Sequence, residues 1–206
     1  TLSAAAGGYA LAFSPSAGTE VRITGQGLDA SVSVDTSGGN AKLDVVDLTW
    51  VLASADLTLV SGLADARLLR VADLSLSGST ANNRLVGNKG DNQMSGGVGD
   101  DVLTGGAGAD TLDGGTGQDT ASYAEAASGV FVRLWSGEGL SGEATGDVLT
   151  DIENLRGSGH ADTLVGDGGA NELSGAAGDD ALWAGDGDDT LMGGPGADQL
   201  QGQGGV

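Results

Sequence analysis

GGVGDDVLT at residues 96–104 is followed without a break by GGAGADTLD (105–113) and GGTGQDTAS (114–122). The same nine-residue frame extends backwards through GNKGDNQMS (87–95) to GSTANNRLV (78–86). After 34 residues without it, the frame resumes as GSGHADTLV (157–165), GDGGANELS (166–174), GAAGDDALW (175–183), AGDGDDTLM (184–192) and GGPGADQLQ (193–201), with GQGGV closing the chain. Three columns stay in phase through the ten repeats. The first position is glycine in nine, the exception being Ala184. The sixth is always Asp or Asn: Asn83, Asn92, Asp101, Asp110, Asp119, Asp162, Asn171, Asp180, Asp189 and Asp198. The eighth is always aliphatic: Leu85, Met94, Leu103, Leu112, Ala121, Leu164, Leu173, Leu182, Leu191 and Leu200.

Each column has a physical role. Glycine supplies positive φ and lets neighbouring backbones approach closely, and six residues rich in Gly and Asp make a tight turn. The remaining three, with an aliphatic residue at their centre, make a short strand whose middle side chain points to one face. Such a strand is not stable alone; stacking many in parallel buries the aliphatic column in one core, as in a solenoid. Two repeats then form one coil, with a strand on each side and a turn at each end. The expected class is all-β, a parallel β-roll or β-solenoid. Stacking puts Asp101 over Asp119, and Asp162 over Asp180 and then Asp198, at a strand spacing of about 4.8 Å. Carboxylates that close repel one another. A hard divalent cation removes the conflict, and calcium, which takes six to eight oxygens from carboxylates and carbonyls, suits a Gly/Asp turn.

The frame Gly-Gly-x-Gly-x-Asp-x-(aliphatic)-x resembles the RTX (repeats-in-toxin) nonapeptide of hemolysin-type calcium-binding proteins. The resemblance covers 90 residues in two blocks, 78–122 and 157–201. It implies a β-roll with Ca²⁺ held between the turns of repeats n and n+2, through the sixth-position Asp and turn carbonyls. Carried onto this chain, the implied ligands are Asp101, Asp110, Asp119, Asp162, Asp180, Asp189 and Asp198. Their glycine turns are Gly97 and Gly99, Gly106 and Gly108, Gly115 and Gly117, Gly185 and Gly187, and Gly194 and Gly196, with Asn92 and Asn171 as weaker members of the set. Roughly six to eight ions are implied. Family resemblance also implies a bacterial protein exported by type I secretion, located outside the cell or on its surface, and folding when it meets extracellular calcium. Three features depart from the pattern. Asn83, Asn92 and Asn171 are neutral, and Ala81 and His160 replace the fourth-position glycine, so the first coil of each block reads as a cap that binds calcium weakly or not at all. Asp91, Asp100, Asp179 and Asp188, at the fifth position, read as solvated or as supporting the ligands from behind.

Composition agrees with this division. The chain has 206 residues, 40 glycines, no cysteine and a formal charge of −21. Residues 1–77 hold eight acidic and four basic residues; residues 78–206 hold 21 acidic and four basic ones and 32 of the glycines. Such an acidic balance repels nucleic-acid phosphate and anionic lipid, and no apolar run is long enough to span a bilayer. Zero cysteine excludes a disulfide framework and thiolate metal sites. Scarce aromatics and high charge would by themselves suggest disorder, but 39% of the residues are hydrophobic and regularly placed.

Residues 1–77 lack the period. Their short aliphatic stretches, among them EVRIT, ASVSV, KLDVV, LTWVL and RLLRV, recur every 8–12 residues, predicting an all-β unit. Irregular solenoid coils leading into the first block are favoured, a small β-sandwich is the alternative, and one helix is allowed around residues 51–56. TLSAAAGGYALAF has no basic segment before it and is not a signal peptide; with no initiating Met, the chain reads as a processed protein or a fragment. In the 123–156 insert, VFVRLW (130–135) alternates like a strand, and DVLTDIENL (147–155) is a second apolar stretch. SGEGLSGEATG between them reads as a flexible polar loop, and the whole as two or so larger irregular coils joining the blocks into one solenoid.

Catalytic chemistry is hard to find. His160 is the only histidine, with no partner for a zinc site. GEGLSG (137–142) matches a dinucleotide fingerprint as a string, in an acidic stretch without strand–helix context. Paired carboxylates such as Asp100 and Asp101 are periodic, which favours calcium over glycosidase chemistry. Trp50, Trp135 and Trp183 could stack on sugar if exposed; Trp183, in the outward ninth column, is the best candidate. Three roles are expected: a non-enzymatic calcium-dependent structural or interaction module, a self-assembling S-layer or extracellular filament subunit, or the C-terminal module of a secreted polysaccharide- or peptide-acting enzyme. The corresponding partners are calcium, further copies of the chain, or cell-surface polysaccharide.

Overall fold

Trp50 to Ala53 shows how the chain enters its regular part. Val51 and Ala53 are fully buried while Leu52 between them is not. This period of two makes a strand, Trp50–Ala53, followed by another, Asp56–Ser61; the helix allowed around 51–56 does not form. The computed structural model describes residues 51–202 except 54, 62, 63 and 70 (60 and 61 in backbone only), and the backbone of the strands between Ser3 and Trp50.

Two sheets, of 11 and 12 strands among the described residues, face each other along the molecule. Each sheet begins antiparallel. In one, Gly8–Ala12, Lys42–Val46 and Trp50–Ala53 pair antiparallel; in the other, Thr19–Gly25, Leu28–Asp35 and Asp56–Ser61 do so. The direction changes at Trp50–Ala53, which pairs parallel with Asp65–Leu68, and at Asp56–Ser61, which pairs parallel with Ser75–Ser77. From there the chain winds as a solenoid.

The eighth-position column forms the core. In one sheet Leu85, Leu103, Ala121, Leu155, Leu173 and Leu191 are successive parallel partners. In the other, Leu76, Met94, Leu112 and Leu149 follow one another, and Val132, Leu164, Leu182 and Leu200 form a second run. Leu85, Leu103, Leu112, Leu164, Leu173 and Leu182 are completely buried, each contributing about 1.5–3 kcal/mol. Leu191 is half-buried, and Leu200 in the last described strand is exposed. After Ala121, the smallest residue of its column, Leu155 continues the stack.

The insert differs from the two irregular coils expected. It supplies one regular coil, Val148–Thr150 and Asn154–Arg156, in parallel register with Thr111–Thr116 and Thr120–Ser122. Before it comes an antiparallel hairpin, Phe131–Arg133 with Glu138–Ser141. The hairpin turns where Gly137, at φ +65°, donates its N–H to Leu134 O at 3.0 Å. The SGEGLSGEATG stretch is therefore largely strand and 3-10 turn (Gly142–Ala144) rather than a loose loop. Its glycines allow this, since a Cβ on Gly139 would strike the carbonyl of Ala144. The hairpin is wedged into one sheet only, between Val148–Thr150 and Thr163–Val165. In the opposite sheet Asn154–Arg156 pairs directly with Glu172–Ser174. Both sheets thus run through the insert and carry the second block on the first.

Candidate metal centre

The turns between strands divide into two kinds, and residue 2 of the turn separates them. In the first kind residue 2 lies at positive φ: Gly97, Gly106, Gly115, Gly185 and Gly194 between +97° and +105°, and Ala176 at +76°. Residue 4 (Gly99, Gly108, Gly117, Gly178, Gly187, Gly196) is also at positive φ. Carbonyl oxygens of one turn face these residues in the next: Gly97 O faces Gly115, Gly99 O faces Gly117, and Gly169 O faces Gly187. A Cβ would occupy that space, so glycine here keeps rows of carbonyls close together.

The sixth-position aspartates fold back against the first glycine of their turn, where a Cβ on Gly96 or Gly175 would strike Oδ2 of Asp101 or Asp180 and the carbonyl of Gly114 or Gly193 in the next coil. One oxygen, Oδ1, accepts the backbone N–H of the residue 18 earlier: Asn83 to Asp101 at 2.7 Å, Asn92 to Asp110 at 2.8 Å, Asp101 to Asp119 at 2.7 Å, Asp162 to Asp180 at 2.8 Å, Asn171 to Asp189 at 2.9 Å and Asp180 to Asp198 at 3.0 Å. The other oxygen, Oδ2, is buried with no hydrogen-bond partner in Asp101, Asp110, Asp119 and Asp180. Four buried anionic oxygens without a donor are costly, because desolvation is not repaid. Burial pushes Asp101 up to about 6, against the N–H of Asn83, with the Asp119 charge adding to the rise. Burial pushes Asp110 up to about 7, against the N–H of Asn92, with Asp147 adding to the rise. Asp119 and Asp180 are raised for the same first reason. Unpartnered carboxylate oxygens beside rows of carbonyls are the donor set of a hard, oxygen-seeking cation. Among the described residues no three His, Cys, Asp or Glu side chains converge, so an ion here would rely on main-chain oxygen as well as carboxylate. Asp189 and Asp198 sit in turns of the same geometry but are only half-buried.

The second kind of turn closes on itself. Ser79, Asn88, Ser158 and Asp167 stand at residue 2, none at positive φ. Their N–H groups bond the sixth-position oxygen directly: Ser79 to Asn83 at 2.7 Å, Asn88 to Asn92 at 2.8 Å, Ser158 to Asp162 at 2.6 Å and Asp167 to Asn171 at 2.8 Å. Their side chains in turn accept the N–H of residue 4: Ala81, Gly90, His160 and Gly169, at 3.2, 2.6, 3.1 and 2.8 Å. Asparagine suits such a turn because it can also donate. Asn83 Nδ2 reaches Ala64 O, Asn92 Nδ2 reaches Ala72 O and Asn171 Nδ2 reaches Glu153 O, at 2.8–3.3 Å. Asp162, Asn92 and Asn171, placed among the ligands by sequence, all fall in this group. Both oxygens of Asp162 are engaged, Oδ1 by Val130 N–H at 2.7 Å and Ser158 Oγ–H at 2.9 Å, and Oδ2 by Ser158 N–H.

Two acidic residues of the insert continue the column and were missed. Asp147, 2% exposed, accepts the N–H of Asp110 at 2.9 Å through Oδ1 and the Tyr123 hydroxyl at 3.0 Å through Oδ2. Burial pushes it up to about 6, and raises Tyr123 well above its usual value. Glu153 Oε2 accepts the N–H of Asp119 at 2.9 Å. A signal for Asp147 was present, since DVLT at 101–104 recurs letter for letter at 147–150. Fifth-position carboxylates reach the other way, to the coil that follows: Asp91 accepts the N–H of Ala109, Asp100 that of Gln118 and Asp179 that of Ala197, at 2.8–3.0 Å.

The remaining candidates stay apart from this array. His160 is exposed on its turn. Trp135 and Trp183 are exposed, at 63% and 37%, while the side chain of Trp50 lies outside the described residues. GEGLSG lies in the antiparallel hairpin and the short turn after it, without the strand-to-helix step a dinucleotide needs. No helix among the described residues is long and apolar enough to cross a membrane.

The family model for the RTX calcium-binding nonapeptide repeat matches the chain in four copies, over residues 75–103, 86–121, 156–191 and 183–206. No curated protein matches the chain. The four copies cover both blocks of Gly/Asp turns and leave out the hairpin. The repeat blocks of this chain belong to the RTX calcium-binding nonapeptide repeat family, whose repeats are calcium-binding.

Proposed function

We propose that the chain is a bacterial calcium-binding structural module, secreted or displayed at the cell surface, that acquires its fold on meeting extracellular calcium and carries no catalytic activity of its own. The observation that carries this reading is the set of buried Oδ2 atoms of Asp101, Asp110, Asp119 and Asp180, which have no protein partner. Asp101, Asp110, Asp119 and Asp180 would hold the ions, with Asp189 and Asp198 in turns of the same shape. Bound calcium supplies the positive charge that lets these carboxylates stay ionised in the stack. The chain's own part is to fix each carboxylate by its Oδ1 bond to the coil before it and to bring the carbonyl rows alongside. Because the ion binds the stacked state and not the extended chain, its binding free energy appears as folding free energy.

Calcium titration of chelator-treated protein, followed by circular dichroism, tests this. The β signal is expected to rise with calcium and fall again on chelation. An activity screen of the chain against polysaccharide and peptide substrates is expected to be blank; measurable hydrolysis overturns the non-catalytic part.

A further inference from the structure

We infer that residue 2 of each turn decides whether the turn takes calcium, and that turns 78–83, 87–92, 157–162 and 166–171 replace the ion with their own backbone, so that Asp162 is not a ligand despite its position. This rests on the calcium reading above and sorts the turns within it.

Two comparisons isolate residue 2. Gly90 and Gly169 are glycines at residue 4, as in a calcium turn, yet neither is at positive φ and both turns are closed. A glycine at residue 4 is therefore not enough to open a turn, and a turn closes without an Ala81 or His160 at that position. Conversely, Ala176 is not glycine, yet it lies at φ +76° and the Asp180 Oδ2 in its turn has no partner. What matters is the backbone state of residue 2. At positive φ its N–H does not reach Oδ2. When it is Ser, Asn or Asp, its side chain takes the N–H of residue 4, a local turn these residues favour. That holds residue 2 away from positive φ and aims its N–H at the sixth-position oxygen. The ion and the N–H are then alternative partners for one oxygen.

The test counts ions by isothermal titration of the full chain with calcium chloride. Asp180→Asn is expected to lower the calcium stoichiometry by about one, and Asp162→Asn to leave it unchanged. The double substitution Ser158→Gly with His160→Gly, which removes the closing side chain and restores the glycine pattern, is expected to raise the stoichiometry by about one. Loss of an ion in Asp162→Asn, or no gain in the double variant, overturns the inference while leaving the calcium reading intact. A wild-type chain that takes up no calcium overturns both.

Discussion

Turn 157–162 and turn 175–180 lie one rung apart in the same stack, carry Asp at the same position, and differ in how that Asp is satisfied. Asp162 has donors on both oxygens. The Asp180 carboxylate accepts one bond, from the N–H of Asp162, and has a buried oxygen with none. Both turns sit below fully buried leucines, Leu164 and Leu182. The hydrophobic core is thus shared along the solenoid, whereas polar satisfaction differs between the first coil of each block, which closes itself, and the turns after it, which leave room for a cation. The insert shows a third solution, with the Tyr123 hydroxyl filling the second oxygen of Asp147.

The largest effects should ignore this difference. Leu112→Ala and Leu164→Ala remove side chains from the common core and are each expected to cost about 2–5 kcal/mol, seen as a lowered midpoint in chemical denaturation with calcium present. A loss confined to one of them breaks the idea of a shared core. Next is Tyr123→Phe, which leaves the buried Oδ2 of Asp147 without its donor. A cost of about 1–3 kcal/mol is expected with calcium present. Equal stability of the two proteins means that the insert does not depend on this bond.

The pH response sharpens the contrast between the turns. Asp101 and Asp110 stand at about 6 and 7 in the ion-free fold, above the ordinary carboxylate value near 3.8. Between those values the folded state binds more protons than the unfolded one, so its stability falls as pH rises from about 4 to 7. Ion-free protein is therefore expected to regain β signal on acidification through this window. A β signal independent of pH from 4 to 7 in chelator contradicts the view that these carboxylates oppose folding. Smallest is Ser158→Ala, which removes the acceptor for His160 N–H and the hydroxyl donor to Asp162 but not the backbone N–H of residue 158. A cost of about 0.5–1.5 kcal/mol is expected, measured by thermal unfolding in calcium; a cost near that of Leu164→Ala would show that the closed turn does more than cap itself.

Much of this was legible in the sequence because the solenoid is written in phase. The eighth column predicted the core from Leu85 to Leu182, and the sixth column predicted where carboxylates would stack. Legibility ended where the outcome depended on a dihedral angle or a distant partner. Asp162 and Asp180 look alike in a repeat alignment; the backbone of residues 2 and 4 separates them, with Ala176 and Gly178 at positive φ and Ser158 and His160 not, and Ala176 shows that residue identity alone does not give that angle. Sequence reading placed the departure at Asn83, Asn92 and Asn171 and at Ala81 and His160, and passed over Ser79, Asn88, Ser158 and Asp167, whose N–H groups close these turns. The wedged hairpin was unreadable for another reason: glycine and polar residues in SGEGLSGEATG carry no hydrophobic period, and the strand Glu138–Ser141 is defined by pairing with Phe131–Arg133. Tyr123 reaches Asp147 across that same hairpin, 24 residues away.

The most direct measurement is far-UV circular dichroism of one sample taken through chelator, excess calcium and chelator again at neutral pH. Buried carboxylates that need a cation predict little β signal without calcium, a cooperative gain on addition and its loss on chelation. A full β signal that persists in excess chelator at pH 7 contradicts the claim that calcium completes this fold.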